Sequence, residues 1–104
     1  MNRLDKGTTG LMVVAKSGYV HNLLRRDLHS DRFRREYRGI CVGCPDAEQG
    51  TIAAPIGRDE TSTIRRCVRP DGAPSLSHYQ VLQRRDGLSL VKLVPETGRT
   101  HQLR

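Results

Sequence analysis

The chain has 104 residues, enough for one domain at most. Hydrophobic residues make up 36% and aromatic residues 4%, with no Trp, so any core rests on Val, Leu and Ile and is thin. No apolar run approaches the roughly 20 residues a membrane helix needs, so no helical span is expected, and no membrane partner is expected either.

Eighteen Lys+Arg against 11 Asp+Glu give a net charge of +7. Only Lys6, Lys16 and Lys92 are lysines. The arginines cluster at Arg25/Arg26, at Arg32, Arg34, Arg35 and Arg38, at Arg65, Arg66 and Arg69, and at Arg84/Arg85. A guanidinium presents a planar fork of donors suited to phosphate, so this bias fits a nucleic-acid partner, although a plain solvated basic surface has the same composition. The three cysteines are an odd number without secretory context, which makes a reducing cytoplasm the expected location. Cys41 and Cys44 form one C-x-x-C, with Cys67 far downstream. A zinc site needs a fourth ligand and usually a second close pair, so ordinary small hydrophobes are the expectation and no metal is assigned.

In chain order, Leu11–Ala15 is a short β-branched run that reads as a buried strand. Ser17 can cap a helix from about Gly18 to His29, on which Val20, Leu23, Leu24 and Leu28 fall at helical spacing. Arg34–Val42 returns to a strand, and a polar connection containing Pro45 follows from Gly43 to Gly50. Thr51–Ala54 and Ile64–Arg69 are predicted as short strands on either side of a polar segment, Gly57–Thr63. Pro70–Pro74 is a turn by composition. Leu76–Gln83 and Leu88–Val94 form a hairpin about Asp86-Gly87, a dipeptide suited to a type I′ turn. Arg99–Arg104 reads as the opening of a helix or a tight turn. The class is α+β, a mainly antiparallel sheet with one principal helix.

Three segments can carry chemistry. In Arg3–Gly10 an acid, Asp5, sits among basic residues in a Gly/Thr-rich loop that enters an apolar run. Such a loop can hold a catalytic group, and equally Asp5 can cap the loop while Thr8 and Thr9 satisfy backbone groups. In Arg35–Gly39, Tyr37 heads a strand inside a basic run; its ring can stack on a base or lie half-buried in the sheet. Glu96–Arg104 is densely polar, with Leu103 its only apolar side chain. There Gly98 permits an unusual backbone turn, and the groups after it could present donors to an anion; a solvated terminus is the plainer alternative.

Taken together, RLDKGTTGLMVVAK (Arg3–Lys16), REYRGICVG (Arg35–Gly43) and ETGRTHQLR (Glu96–Arg104) resemble the RluA-type RNA pseudouridine synthases, in that family's order. The likeness covers essentially the whole chain, and the VVAK and GRTHQLR strings are closer to this branch than to the related RsuA branch. Asn2 departs from the pattern, since many members carry His before the Arg-Leu-Asp. The resemblance implies part of the pseudouridine synthase catalytic fold. It also implies conversion of uridine to pseudouridine in structured RNA, ribosomal or transfer, without cofactor.

On that likeness Asp5 matches the essential aspartate, acting either as a nucleophile or as a base that removes a sugar proton. Tyr37 matches the active-site tyrosine that stacks on the target base, and Arg104 the arginine that pairs with the aspartate. Arg3 matches a residue that fills the space left by the extruded nucleotide, and Leu103 the apolar floor under the uracil. Thr9, Arg99 and His101 are implied to be structural, and the intervening Arg clusters to contact phosphates. DNA is not an expected partner, and a monomer is expected. Residues 1–104 are expected to be a partial catalytic domain that lacks family strands on both sides and is weakly folded or inactive alone. The competing expectation is a non-catalytic RNA-binding fragment or remnant of such an enzyme; a zinc module using Cys41, Cys44 and Cys67 is a third.

Overall fold

The computed structural model describes residues 4–28, 30, 32–61 and 65–104. The chain divides into two compact units, residues 1–34 and 35–104.

In the first unit the loop turns at Asp5–Thr8, where the Thr8 N–H donates to the Asp5 carbonyl at 3.0 Å. Gly7 takes φ +86 there, in the left-handed region that glycine occupies without a steric penalty. The helix α1 (Gly18–Asp27) follows. Its start is set by Ser17, whose backbone is extended and whose Oγ accepts from the Val20 N–H at 3.2 Å. Arg25 and Arg26 occupy the last turn, where cations complement the helix dipole. The helix ends at Asp27, two residues before the expected end, and His29 lies outside the described residues.

Leu11–Ala15 is not a strand. Apolar β-branched residues favour extended backbone, but a strand also requires a neighbour for its N–H and C=O groups, and among the described residues no ladder includes this run.

The second unit contains β1 (Tyr37–Val42), β2 (Gln49–Ala53), β3 (Ile56–Arg58), β4 (Arg66–Val68), β5 (Leu76–Arg85) and β6 (Leu88–Pro95). Four of them form an antiparallel sheet in the order β1-β6-β5-β2, and β3 and β4 pair as a separate ribbon. The mainly antiparallel α+β class therefore holds. Asp86 and Gly87 have φ 51 and 75 at the β5–β6 connection, both positive as a type I′ turn requires. The register Tyr37↔Leu93, Tyr79↔Leu93, Ser77↔Pro95 and Ile52↔Ser77 puts Tyr37, Ile52, Ser77, Tyr79 and Leu93 on one face of the sheet.

Several boundaries differ from expectation. β1 begins at Tyr37 rather than Arg34, and β2 begins at Gln49. β4 covers only Arg66–Val68 of the expected Ile64–Arg69, with Ile64 outside the described residues. Gly57 and Arg58, assigned by composition to a polar connection, belong to β3. Two polar-looking residues do extend a strand when the partner supplies the register, here Gly57↔Cys67 and Arg58↔Arg66.

The core is as thin as the composition implies. Among the described residues Val91, 3% exposed, and Pro95 are the buried apolar side chains, and Ser75, Ser77 and Ser89 are buried as well. Their hydroxyls are satisfied rather than stranded: Ser89 donates to the Gly43 carbonyl at 2.8 Å and Ser75 to the Ala54 carbonyl. The ribbon is tied down by the Pro70–Pro74 turn. Ile56 and Ala73 exchange backbone hydrogen bonds at 2.9 and 2.8 Å, and a Cβ on Gly72 would sit 2.5 Å from the Ile56 carbonyl carbon. Backbone against backbone cannot yield cheaply. Gly72→Ala is therefore expected to destabilise the fold by about 1–3 kcal/mol, read as a lowered urea midpoint; an unchanged midpoint would show that the turn is not clamped to β3.

Candidate active site

An open cleft of about 230 Å³ lies on the Leu93 face of the sheet. Its floor includes Ile52 and Leu93, the ribbon contributes Ile56, Arg66 and Val68, and the terminal turn contributes Leu103 and Arg104. The lining is thus apolar beneath and cationic at the rim. A flat, uncharged ring bearing anionic substituents fits that combination.

The terminal turn keeps its shape through side-chain amide chemistry. Gln102 Oε1 accepts from the Thr97 hydroxyl at 2.7 Å and from the Arg99 N–H at 3.0 Å. Its Nε2 donates to the Leu76 carbonyl at 3.1 Å and to Ser77 Oγ at 2.8 Å. Both ends of one carboxamide are used, so it bridges the loop to β5. Thr97 Oγ1 in turn accepts from the Leu76 N–H at 3.1 Å. Arg35 donates to the Thr97 carbonyl at 3.0 Å, and Arg99 Nε to the Pro74 carbonyl at 2.7 Å. At the loop's start, His78 Nε2 lies 3.0 Å from Glu96 Oε1, while His78 Nδ1 shares a hydrogen bond with Thr51 Oγ1 at 2.8 Å.

Gly98 does not provide the expected unusual backbone turn. The positive φ in this segment belongs to His101, at 56, and the contribution of Gly98 is space: a Cβ there would stand 3.1 Å from Arg35 Nη1. Two successive tight turns, Gln102 N–H to the Arg99 carbonyl and Arg104 N–H to the His101 carbonyl, both at 3.1 Å, bring Leu103 and Arg104 to the cleft.

The structure gathers Leu103 and Arg104 at one cleft, with Leu93 between them and Tyr37, its half-buried cross-strand neighbour. Asp5 is half-buried in the turn of the first unit. Arg3 lies outside the described residues. Gln102, Thr97 and Arg35 were missed in the sequence because a bridging amide has no periodicity; the density of polar residues from Glu96 onward was the available signal. Arg99, read as structural, is a strut to Pro74.

Elsewhere charge is spent on the ribbon. Arg69 donates to Glu60 at 2.8 Å, to Asp71 at 3.0 Å and to the Arg58 carbonyl at 3.0 Å. The hydrogen bond to Glu60, then the charge of Asp71, hold its guanidinium above the usual arginine value. Hydrogen bonds from the Thr61 N–H and hydroxyl hold the Asp59 carboxyl below its usual value. Among the described residues no three His, Cys, Asp or Glu side chains stand close enough together to hold a metal ion. Cys44 instead accepts from Arg84 Nε at 2.7 Å.

A family model described as RNA pseudouridylate synthase matches residues 1–104. An uncharacterized RNA pseudouridine synthase of Chloroflexus aurantiacus is 41% identical over 104 residues, covering 100% of this chain and 33% of the relative. Ribosomal large subunit pseudouridine synthase D of Vibrio parahaemolyticus is 42% identical over the same length, which is 32% of that protein. The chain thus spans about a third of the length of the curated relatives it matches. Among solved structures, human RNA pseudouridylate synthase domain containing 1 superposes with a TM-score of 0.82 at 32% identity, covering 99% of this chain and 46% of that one. Human RNA pseudouridylate synthase domain containing 4 gives 0.79 at 28% identity, covering 99% and 43%. Motif order, sheet topology and these likenesses agree: the chain belongs to the RNA pseudouridylate synthase family.

Proposed function

We propose that the protein converts uridine to pseudouridine within structured RNA, ribosomal or transfer, using Asp5 and no cofactor. The observation that carries the reading is the family match over all of residues 1–104, which takes in the three motifs together. The cleft supports it, because an apolar floor under a cationic rim suits a uracil ring still flanked by phosphates.

In this reading the bond between uracil N1 and the ribose C1′ breaks, the base turns, and C5 bonds to C1′; C5 gives up its proton and N1 gains one, so nothing else is consumed. Asp5 acts as its carboxylate. The guanidinium of Arg104 is assigned to hold that charge. Tyr37 stacks on the base, Leu103 supports the uracil face, and Arg3 occupies the gap left by extrusion, which costs a few kcal/mol.

Asp5→Ala in the full protein is expected to abolish pseudouridine formation while RNA affinity stays within about twofold, measured by mass spectrometry and by filter binding; a non-catalytic RNA binder would be indifferent to it. Arg104→Met is expected to reduce turnover far more than RNA binding, because the charge-assisted contact assigned to it acts on the reacting carboxylate rather than on the RNA backbone. An unchanged rate would remove Arg104 from the mechanism. Gln102→Met strands the polar groups its amide now satisfies, each worth about 1–3 kcal/mol. It should therefore speed hydrogen exchange at the Gln102 and Arg104 amides before those of β5 and β6, and equal exchange across all of them would contradict the bridging role.

A further inference from the structure

The β3–β4 ribbon carries a pair of charges that the fold does not explain. Arg58 and Arg66 are direct cross-strand partners, so their side chains leave the ribbon on the same side. Ile56 and Val68 form the next pair on that side, and Arg66 and both apolar residues line the cleft. The other side is filled: a Cβ on Gly57 would meet Arg69 Cδ at 3.2 Å and Gly72 Cα at 3.4 Å. Like charges directly opposite on a sheet destabilise it.

Neighbouring arginines have acceptors. Arg69 holds Glu60, Asp71 and a carbonyl. The side chains of Arg58 and Arg66 are exposed, and among the described residues neither has a carboxylate or carbonyl acceptor. Glu60 and Asp71, the carboxylates of this ribbon and its turn, are both taken by Arg69. Asp59 is engaged by Thr61. The ribbon's acids thus go to Arg69 and Thr61, and Arg58 and Arg66 stand together on the side that bears Ile56 and Val68, with Arg66 at the cleft. An anion between them would turn mutual repulsion into two charge-assisted hydrogen bonds.

We propose that Arg58 and Arg66 form a phosphate clamp, by which the ribbon grips the RNA backbone beside the nucleotide held over Leu93 and Leu103. This rests on the RNA reading above and adds to it a binding element that the sequence motifs do not contain. The ribbon is well suited: it is short, anchored at Ile56↔Ala73, and stiffened by Arg69, so the two guanidiniums are held at cross-strand spacing before RNA arrives. Phosphate contacts of this kind fix position and carry no sequence information.

The test is the salt dependence of binding to a short uridine-containing RNA stem-loop, using the full protein. If each arginine neutralises one phosphate of an unpaired strand, Arg58→Ala/Arg66→Ala lowers the magnitude of the log–log salt slope by about 1.4. Affinity in low salt should fall roughly tenfold or more, again from lost phosphate contacts. Arg58→Lys/Arg66→Lys should restore the slope but only part of the affinity, because an ammonium cannot make the bidentate contact. Lys16→Ala/Lys92→Ala removes the same charge elsewhere and should move the slope less.

A double alanine variant with the wild-type slope overturns the clamp, as does a lysine control that loses as much. If the alanine variant unfolds, the lysine pair and each single Arg→Gln variant carry the same slope test. Competition by inorganic pyrophosphate that abolishes the difference between wild type and variant would assign the pair to a small phosphate ligand and also overturn it. A protein that makes no pseudouridine but shows the slope change loses the catalytic reading and keeps the clamp.

Discussion

The carboxamide of Gln102 fixes the terminal turn, and much else in the second unit depends on it. Burial does not fix this turn, since Leu103 is half-buried and Arg104 exposed. The amide supplies the anchor by using an acceptor against Thr97 and Arg99 and a donor against Leu76 and Ser77. No other side chain type of that length offers both functions at one end. Glutamate would keep the acceptors and lose the donors; methionine would keep the shape and lose both.

Such polar fastening matters because apolar burial is scarce. With only Val91 and Pro95 as buried apolar side chains among the described residues, transfer free energy alone could not hold a loop against a sheet. Satisfied hydroxyls, the β5–β6 ladder and the ribbon's ion pairs take a larger share than in a large domain. The far face of the sheet makes the same point, since Ile40 and Val42 are 75% and 93% exposed there. The cleft face is where the polar network converges, and it is also where the motif residues Tyr37, Leu103 and Arg104 are carried.

What could be read from the sequence follows the range of the interaction. Ser17 before α1 and Asp86-Gly87 between β5 and β6 are local devices, legible because a cap or a type I′ turn needs only adjacent residues. Leu11–Ala15 failed as a strand because the deciding factor, a ladder partner, is not contained in the run. Gly98 was read for its freedom of φ, yet its use is to let Arg35 approach, a contact across 63 positions that no local pattern encodes. The motif strings singled out Tyr37, Leu103 and Arg104; the structure puts Tyr37 at the start of β1 and the other two in the turn that lines the cleft. They said nothing about the amide that joins the last two to β5.

Net charge is the bluntest of these signals, and the structure divides it into two kinds. Arg35, Arg69, Arg84 and Arg99 point at carbonyls, carboxylates or sulfur, and act as struts. Removing any of them would test folding before it tested recognition. Arg58 and Arg66 have the opposite character, since their juxtaposition costs the ribbon stability and gives it nothing in return within the described residues. A count of +7 treats both kinds alike. Only the cross-strand register separates them, and that register was hidden while Gly57 and Arg58 were taken for loop. Where a fold keeps two cations face to face across a clamped ribbon, beside an apolar cleft, the missing partner is an anion that arrives from outside.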